Sequence, residues 1–201
     1  MVQSLKLGFL ASRNGSSLRA IVEAIGAGEL FAEPRLVVSN NRSAPALAFA
    51  ADQGIATLCL PTQADPQAAD ARLRDAMAAA GVDLIVLSGY LRHLGPLTLE
   101  RFAGRVLNIH PGPLPAFGGD GMYGARVHQA VIDAAASHSA ATIHLVDEEY
   151  DHGAVIAARQ IPLQPGDTAQ SLEARVTAAE PSFFVETLKR IANGELALPK
   201  P

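Results

Sequence analysis

The stretch "LKLGFLASRNGSSLRAIVEAIGAG", residues 5–28, contains two different hydrophobic patterns in succession. Residues 5–11 are mostly apolar, which is typical of a short buried strand. After Gly15 the apolar residues recur at i, i+3, i+4 and i+7, and this spacing places them on one face of a helix. They are Leu18, Ile21, Val22 and Ile25. The stretch therefore predicts a strand followed by a helix that packs on a sheet.

The same alternation of apolar run and helical pattern recurs along the next 80 or so residues. Apolar runs at 35–40, 55–61 and 82–90 precede helical patterns at 44–53, 66–80 and 96–104. Some of these runs, such as "DLIVL", do not alternate with polar residues, as expected of parallel strands covered on both faces. We predict an α/β fold with a doubly wound, mostly parallel, Rossmann-like sheet. No linker or repeat divides the sequence, so we expect one domain over residues 1–201.

The pattern changes after residue 105. A strand-like run is followed by a long loop, a helix and two further strand-like runs, at 105–110, 111–124, 125–136, 141–147 and 154–163. Only a turn separates the last two runs, which predicts antiparallel strands at the C-terminal edge of the sheet. We expect the final helix to begin near Asp167, where Asp167 and Gln170 have capping-box spacing. It should be interrupted at Pro181 and end near residues 193–194.

Composition and charge narrow the class of partner. The 201 residues carry a net charge of -4, with 16 Lys and Arg against 20 Asp and Glu, which argues against a nucleic-acid partner. No run of about 18 apolar residues indicates a membrane span, and the N-terminal apolar stretch is too short for a signal peptide. The lone Cys59 fits a reducing compartment and a buried thiol. We therefore expect a cytoplasmic monomer or homodimer that acts on small molecules, with no membrane or metal partner.

The segment "SRNGSS", residues 12–17, follows the first predicted strand. Gly15 can adopt a positive φ, and the amides of Ser16 and Ser17 would then open a helix, which makes a site for an anion such as a phosphate. Neither a GxGxxG nor a GxxxxGK[ST] motif is present, so a nucleotide is not implied. An ordinary serine-capped helix explains the same residues equally well.

The segment "VLNIHPGPLPAFGG", residues 106–119, ends a predicted strand with two polar residues. Asn108 and His110 are two positions apart and share one face of the strand. An amide can donate a hydrogen bond to an oxyanion, and an imidazole can carry a proton near neutral pH. The prolines at 111, 113 and 115 would stiffen the loop beside them. The alternative is a capped strand end whose Asn and His satisfy local backbone groups.

Other polar residues follow the fourth and sixth predicted strands. Arg92, in "SGYLRHL", is a candidate ligand contact, although such an arginine is more often a solvated cation. The turn after the sixth strand contains four acidic residues that could orient a histidine or hold a water: Asp147, Glu148, Glu149 and Asp151. We interpret His144, within that strand, as a satisfied core residue.

Four segments together resemble one known family. The segments "NGSSL", "LSGYLRHL", "VLNIHPGPLP" and "IHLVDEEYDHGAVI" resemble the 10-formyltetrahydrofolate-dependent formyltransferases, and the likeness covers essentially the whole chain. The resemblance implies transfer of a formyl group from 10-formyltetrahydrofolate, as cosubstrate, to an amine, without a metal or a covalent intermediate. The "NGSSL" segment further implies that the acceptor is 5'-phosphoribosylglycinamide, a substrate of de novo purine biosynthesis.

The resemblance also assigns roles to individual residues. Asn108 would bind the formyl oxygen, His110 would move the proton, and Asp151 would orient His110 or a bridging water. The substrate phosphate would be held by Gly15, Ser16 and Ser17, and Glu180 would contact the glycinamide. Residues implied to bind the folate are Leu91, Arg92, Leu94, Val146, Asp147 and Asp151.

The sequence also departs from the family pattern, and other functions remain open. Gly112 stands where the family commonly has Ser, residues 62–71 contain no Lys or Arg to meet a folate glutamate tail, and Pro181 follows Glu180 where His is frequent. The loop at 118–124 also differs from the best-known members. The alternatives are a formyltetrahydrofolate hydrolase, a formyltransferase acting on an amino sugar, and a non-catalytic nucleotide-binding module.

Overall fold

The structure, a computed structural model, describes residues 4–199. The strands are β1 (Leu5–Leu10), β2 (Ala32–Ser39), β3 (Ala56–Cys59), β4 (Leu84–Leu87), β5 (Val106–His110), β6 (His138–Leu145) and β7 (Val155–Pro162). The helices are α1 (Ser16–Gly26), α2 (Pro45–Asp52), α3 (Pro66–Ala79), α4 (Pro96–Arg101), α5 (Ala125–Asp133) and α6 (Ala169–Ala192). The order of elements agrees with the predicted alternation.

These strands form one sheet in the order β3-β2-β1-β4-β5-β6-β7. The pairs from β3 to β5 are parallel, whereas β5 pairs with β6 and β6 with β7 in antiparallel fashion. The predicted fold class and its antiparallel C-terminal edge are therefore confirmed. The strand order reverses between β1 and β4, and ligands of open α/β sheets bind at the carboxyl ends of strands beside such a reversal.

Helices cover both faces of the sheet. On one face Leu18 of α1, Val131 of α5 and Phe184 of α6 belong to one buried cluster. On the other face Leu73 and Met77 of α3 form a second cluster with residues of the sheet. The predicted apolar stripe of α1 faces the first cluster, because Leu18, Ile21 and Val22 are buried and Ile25 packs against them.

The last helix differs from its prediction at two points. Its N-cap is Thr168, whose hydroxyl accepts from the amide of Ser171 at 3.2 Å, so the capping box is Thr168–Ser171 and not Asp167–Gln170. Asp167 instead accepts from Ser171 Oγ and pairs with Arg175. Pro181 does not interrupt α6, which runs continuously over 24 residues. The buried Phe184, three residues on, anchors the helix on the core and outweighs the one backbone bond that a proline removes.

Cys59 is half-buried and not buried as predicted. It ends β3, which lies at the edge of the sheet and has a neighbour on one side only. Between residues 4 and 199, no helix combines the length and the apolar character needed to cross a bilayer.

Candidate active site

The pairing of β5 with β6 sets the positions of the candidate polar residues. Asn108 lies directly opposite His144, and His110 lies opposite Thr142. The segment between β6 and β7 then returns over these strands and brings Asp151 to them. Asn108, His110 and Asp151, which the sequence places as much as 43 positions apart, therefore meet at the carboxyl end of β5.

Asp151 contacts two imidazole rings at once. Its Oδ2 lies 3.2 Å from His110 Nδ1, and its Oδ1 lies 3.3 Å from His144 Nε2. The amide of Gly119 donates to Oδ2 at 3.2 Å. Asp151 also has φ of 55°, in the left-handed region that residues other than glycine rarely adopt. Such a conformation costs about 1–3 kcal/mol and persists only where surrounding contacts hold it, as the three contacts do here.

The charge of Asp151 follows from these contacts. Burial by itself raises the pKa of the Asp151 carboxyl, but the hydrogen bonds with His110 and His144, the charge of His110 and the Gly119 amide together lower that pKa below its ordinary value. Asp151 is therefore ionised at neutral pH. A fixed negative charge thus faces both imidazoles.

His110 is buried, and both of its ring nitrogens face acceptors. Nδ1 faces the Asp151 carboxylate, and Nε2 lies 2.7 Å from the carbonyl oxygen of Phe117. A carbonyl oxygen can only accept, so Nε2 carries a hydrogen, and the ionised Asp151 can only accept from Nδ1. The geometry suits a doubly protonated ring, which can deliver the Nε2 proton when a substrate atom replaces the Phe117 carbonyl.

His144 is a site residue that the sequence analysis missed. Its Nδ1 lies 2.8 Å from the carbonyl of Leu145, and its Nε2 lies 3.1 Å from Asn108 Nδ2. The Leu145 carbonyl can only accept, so the Nδ1 of His144 carries a hydrogen, while its Nε2 faces both the Asn108 amide and the Asp151 carboxylate. His144 is buried, as predicted, but it is not a bystander. Its position opposite Asn108 in the predicted antiparallel pair is the signal that could have identified it.

The loop at 111–124 packs tightly against the site. A Cβ atom on Gly112 would lie 2.5 Å from Val127 Cγ1 and 3.2 Å from His110 Nε2. The hydroxyl of Thr142 donates to the Gly112 carbonyl at 2.7 Å. Gly112 therefore lets Val127 of α5 approach His110 more closely than a residue with a side chain would allow.

The first turn of α1 leaves backbone donors free. Gly15 is the N-cap, has φ of 67° and makes no side-chain cap. The amides of Ser16 and Ser17 form no hydrogen bond with any residue from 4 to 199, whereas the next amide, at Leu18, donates to Ser88 Oγ at 3.0 Å. The alternative of a serine-capped helix is therefore wrong, and two amides at the positive end of the helix dipole are left without a partner among residues 4–199.

Glu180 lies on α6, half-buried, with no hydrogen bond or ion pair to its carboxylate within the described part of the chain. Burial raises the pKa of Glu180 to about 7, and the charge of His110 opposes that rise. Glu180 thus lies near enough to His110 for their charges to interact. An unpartnered carboxyl that titrates near neutral pH is suited to bind a cationic or hydrogen-bonding group.

The residues expected to bind the folate are divided between two clefts, each of about 400 Å³. Leu91 and Arg92 line one, while Val146 and Asp147 line the other beside α4. Leu94 is buried in the core and lines neither cleft. The two loops meet where the rings of His93 and Tyr150 approach to 3.8 Å between centroids.

Known formyltransferases match this chain both in sequence and in structure. A sequence model of the family described as "Formyl transferase" matches residues 5–188. The phosphoribosylglycinamide formyltransferase of Haemophilus influenzae is 33% identical over 195 residues, which is 96% of this chain and 90% of that protein. The solved structure of the phosphoribosylglycinamide formyltransferase of Coxiella burnetii has a TM-score of 0.88 and 30% identity, covering 98% of this chain and 92% of that one.

The plant relatives are longer. The chloroplastic phosphoribosylglycinamide formyltransferase of Vigna unguiculata is 37% identical over 94% of this chain, but the chain spans only 62% of the length of that protein.

The family match extends over residues 5–188 of the 201, and the bacterial relative is matched over nearly its full length. The chain therefore belongs to the formyl transferase family.

Proposed function

We propose that this protein transfers the formyl group of 10-formyltetrahydrofolate to the amine of 5'-phosphoribosylglycinamide. The observation that carries the proposal is the network of Asn108, His144, Asp151 and His110 at the carboxyl end of β5. It combines an amide donor, an imidazole and a fixed negative charge. These are the groups that acyl transfer through a tetrahedral intermediate requires. The names of the relatives at 33–37% identity support the same reaction.

The chemistry assigns one task to each side chain. The acceptor amine attacks the formyl carbon, and the formyl oxygen becomes an oxyanion that Asn108 Nδ2 stabilises. The new carbon–nitrogen bond forms in this attack, and the bond to N10 of the folate breaks when the tetrahedral intermediate collapses. The amine must lose one proton and N10 must gain one, and His110 can carry that proton between them. Asp151 keeps the His110 ring oriented and stabilises its charged form.

The acceptor is proposed to lie between α1 and α6. The free amides of Ser16 and Ser17, behind Gly15, bind the phosphate, because unpaired amides at a helix N-terminus favour an anion. Glu180 binds the glycinamide end, where its ionised form accepts a hydrogen bond from the amine. The folate is proposed to pass between Leu91 and Arg92 on one side and the segment 146–151 on the other.

The proposal extends to the context in which the enzyme acts. A single half-buried cysteine fits a reducing compartment, and we propose the cytoplasm. The side chains named above carry out every step without a metal. Prolonged treatment with a chelator is therefore expected to leave the rate unchanged.

The decisive experiment is an assay with both substrates and the purified chain. Formylated acceptor should accumulate in equal amount to tetrahydrofolate, and no free formate should appear. Release of formate without an acceptor would instead identify a hydrolase, and binding of the acceptor without turnover would identify a non-catalytic module. Asn108→Ala and His110→Ala serve as matched controls for the background rate.

A further inference from the structure

A buried carboxylate on α3 holds the first turn of the neighbouring helix α4. The two carboxylate oxygens of Asp70 accept from the amides of Leu97 and Thr98 at 2.9 and 3.0 Å. The Thr98 hydroxyl donates to the same carboxylate at 2.6 Å. Pro96, the first residue of α4, has no amide hydrogen, and the Leu99 amide already bonds within the helix. Asp70 therefore binds both amides that the first turn of α4 leaves free.

This contact depends on the absence of a side chain at Gly95, the N-cap of α4. A Cβ atom at this position would lie 2.3 Å from both Cγ and Oδ2 of Asp70. The φ of Gly95 is -81°, which any residue can adopt, so the requirement for glycine is steric and not conformational. Gly95 cannot cap the helix with a side chain of its own, and Asp70 takes the place of that cap.

One face of α4 forms a wall of the cleft that also contains Val146 and Asp147. The helical residues that line this cleft recur at i, i+3, i+4 and i+7, and so share one face: Pro96, Leu99, Glu100 and Ala103. Thr98, which Asp70 holds, lies on the opposite face and is buried. Asp70 therefore fixes the rotation of α4 about its axis, and with it the side chains that the helix presents to the cleft.

The two walls of this cleft are held in different ways. The wall at residues 146–148 is tied to the sheet, because the amide of Val146 donates to the carbonyl of Val106, in β5, at 2.9 Å. The other wall, α4, has only six residues, and helices this short are marginal without support from outside. The width of the cleft thus depends on how firmly Asp70 holds α4.

We propose that Asp70 is a positioning residue for the folate donor, and that it holds α4 at the distance from residues 146–148 at which the donor fits. The inference rests on the proposed function for the identity of the donor. Asp70 lies behind the cleft wall and does not line the cleft. The catalytic side chains lie on β5 and on the segment after β6, so loss of the Asp70 contact acts on donor binding and not on the chemical step.

Two variants break this contact from opposite sides. Asp70→Asn replaces one carboxylate oxygen with an NH2 group that faces a backbone donor, and Gly95→Ala drives a methyl group into the carboxylate. We expect each variant to raise the KM for the donor about three- to tenfold, with kcat and the KM for the acceptor unchanged within about twofold. The double variant should be no more than about twofold worse than the more affected single variant, because both changes break the same contact.

Asp65→Ala is the matched control for a general loss of stability. Asp65 caps the same helix, α3, by accepting from the amide of Ala68 at 3.0 Å, and this hydrogen bond lies within α3. We expect the melting temperature of Asp65→Ala to fall while its KM for the donor stays within about twofold of the wild type. All rates are measured well below the lowest melting temperature of the set.

The outcomes separate the inference from the proposed function. An unchanged KM for the donor in both variants, or an equal rise in Asp65→Ala, would show that Asp70 acts on stability alone. Titration calorimetry with tetrahydrofolate, which carries no formyl group, needs no turnover, and its Kd should also rise about three- to tenfold. If the wild-type chain transfers no formyl group but binds tetrahydrofolate in an Asp70-dependent way, the proposed function fails and the positioning role stands. A wild-type chain that binds no tetrahydrofolate would overturn both.

Discussion

Asn108 is the residue on which the proposed chemistry depends most directly. It is half-buried, and its amide nitrogen is fixed by His144, so a truncation removes one oxyanion donor without disturbing the core. We expect Asn108→Ala to lower kcat about 10²- to 10³-fold, as loss of one such donor does in other acyl-transfer enzymes. Initial rates at saturating substrate measure this, and a matched circular dichroism spectrum shows that the fold is intact. A loss below tenfold would contradict the role of Asn108.

Glu180 should make the protein less stable, but its binding of the acceptor tighter, as pH rises. Because burial raises its folded-state pKa to about 7, the native state holds a proton that the unfolded state has already released between about pH 4.5 and 7. Stability therefore falls as pH rises through this window. We expect Glu180→Gln to raise the melting temperature at pH 8.5 relative to the wild type, and to change it little at pH 4.

The same substitution should weaken acceptor binding. The ionised Glu180 pairs with the amine, so the wild-type KM for the acceptor should fall as pH rises through 7, and Glu180→Gln should lose that dependence. A variant that is less stable at pH 8.5, or that keeps the wild-type pH profile of the acceptor KM, would contradict this assignment. The KM for the donor is the internal control.

At the scale of elements, the position of α5 depends on Gly112. A Cβ atom there would lie 2.5 Å from Val127 Cγ1, and such overpacking typically costs about 1–3 kcal/mol. We expect Gly112→Ala to push α5 away from His110, lowering both the melting temperature and kcat. The double variant Gly112→Ala with Val127→Ala removes the clashing methyl group, so it should recover kcat relative to Gly112→Ala. A double variant no faster than the single one would show that the clash is not the cause.

Helix α4 depends on a carboxylate from another helix. Asp70 of α3 accepts from the amides of Leu97 and Thr98 at 2.9 and 3.0 Å, and from Thr98 Oγ1 at 2.6 Å. We expect Asp70→Ala to lower the free energy of unfolding by about 2–4 kcal/mol, because buried donors lose a charged partner. Urea denaturation measures the loss. Asp65→Ala, which removes an exposed N-cap of α3, is the control and should cost about 1 kcal/mol.

Sequence reasoning predicts these elements better than the contacts between them. The apolar face of α1 follows from the 3.6-residue period of a helix, and the shared face of Asn108 and His110 on β5 follows from the 2-residue period of a strand. Both periods are local. Sequence reasoning assigns the capping box to Asp167 because Asp167 and Thr168 compete for Ser171. It assigns His144 to the core because the contact with Asn108 depends on how β5 and β6 pair. The absence of a break at Pro181 depends on the packing of α6, which no local pattern encodes.

At the scale of the whole molecule, the net charge and the local charge predict opposite effects of added salt on the binding of anionic substrates. The chain carries a net charge of -4, and both proposed substrates are anionic, so overall charge alone predicts repulsion that added salt would relieve. Arg13, Arg42 and Arg92, which line the cleft at the carboxyl ends of β1 to β4, predict attraction that salt would weaken, since the Debye length falls to about 8 Å at 0.15 M. The sheet order places this cationic edge beside the catalytic centre, and a nearby field outweighs a diffuse one within that distance.

We therefore expect kcat/KM for the donor to fall about two- to fivefold between 0.02 and 0.2 M salt, as local attraction requires. Arg42→Gln should show a weaker salt dependence, and Arg190→Gln should keep that of the wild type, because Arg190 lies on α6, outside the cleft. Initial rates at donor concentrations well below KM measure the effect. An increase in kcat/KM with salt would mean that the overall negative charge governs the approach of substrate, and that the fold does not concentrate positive charge where the donor enters.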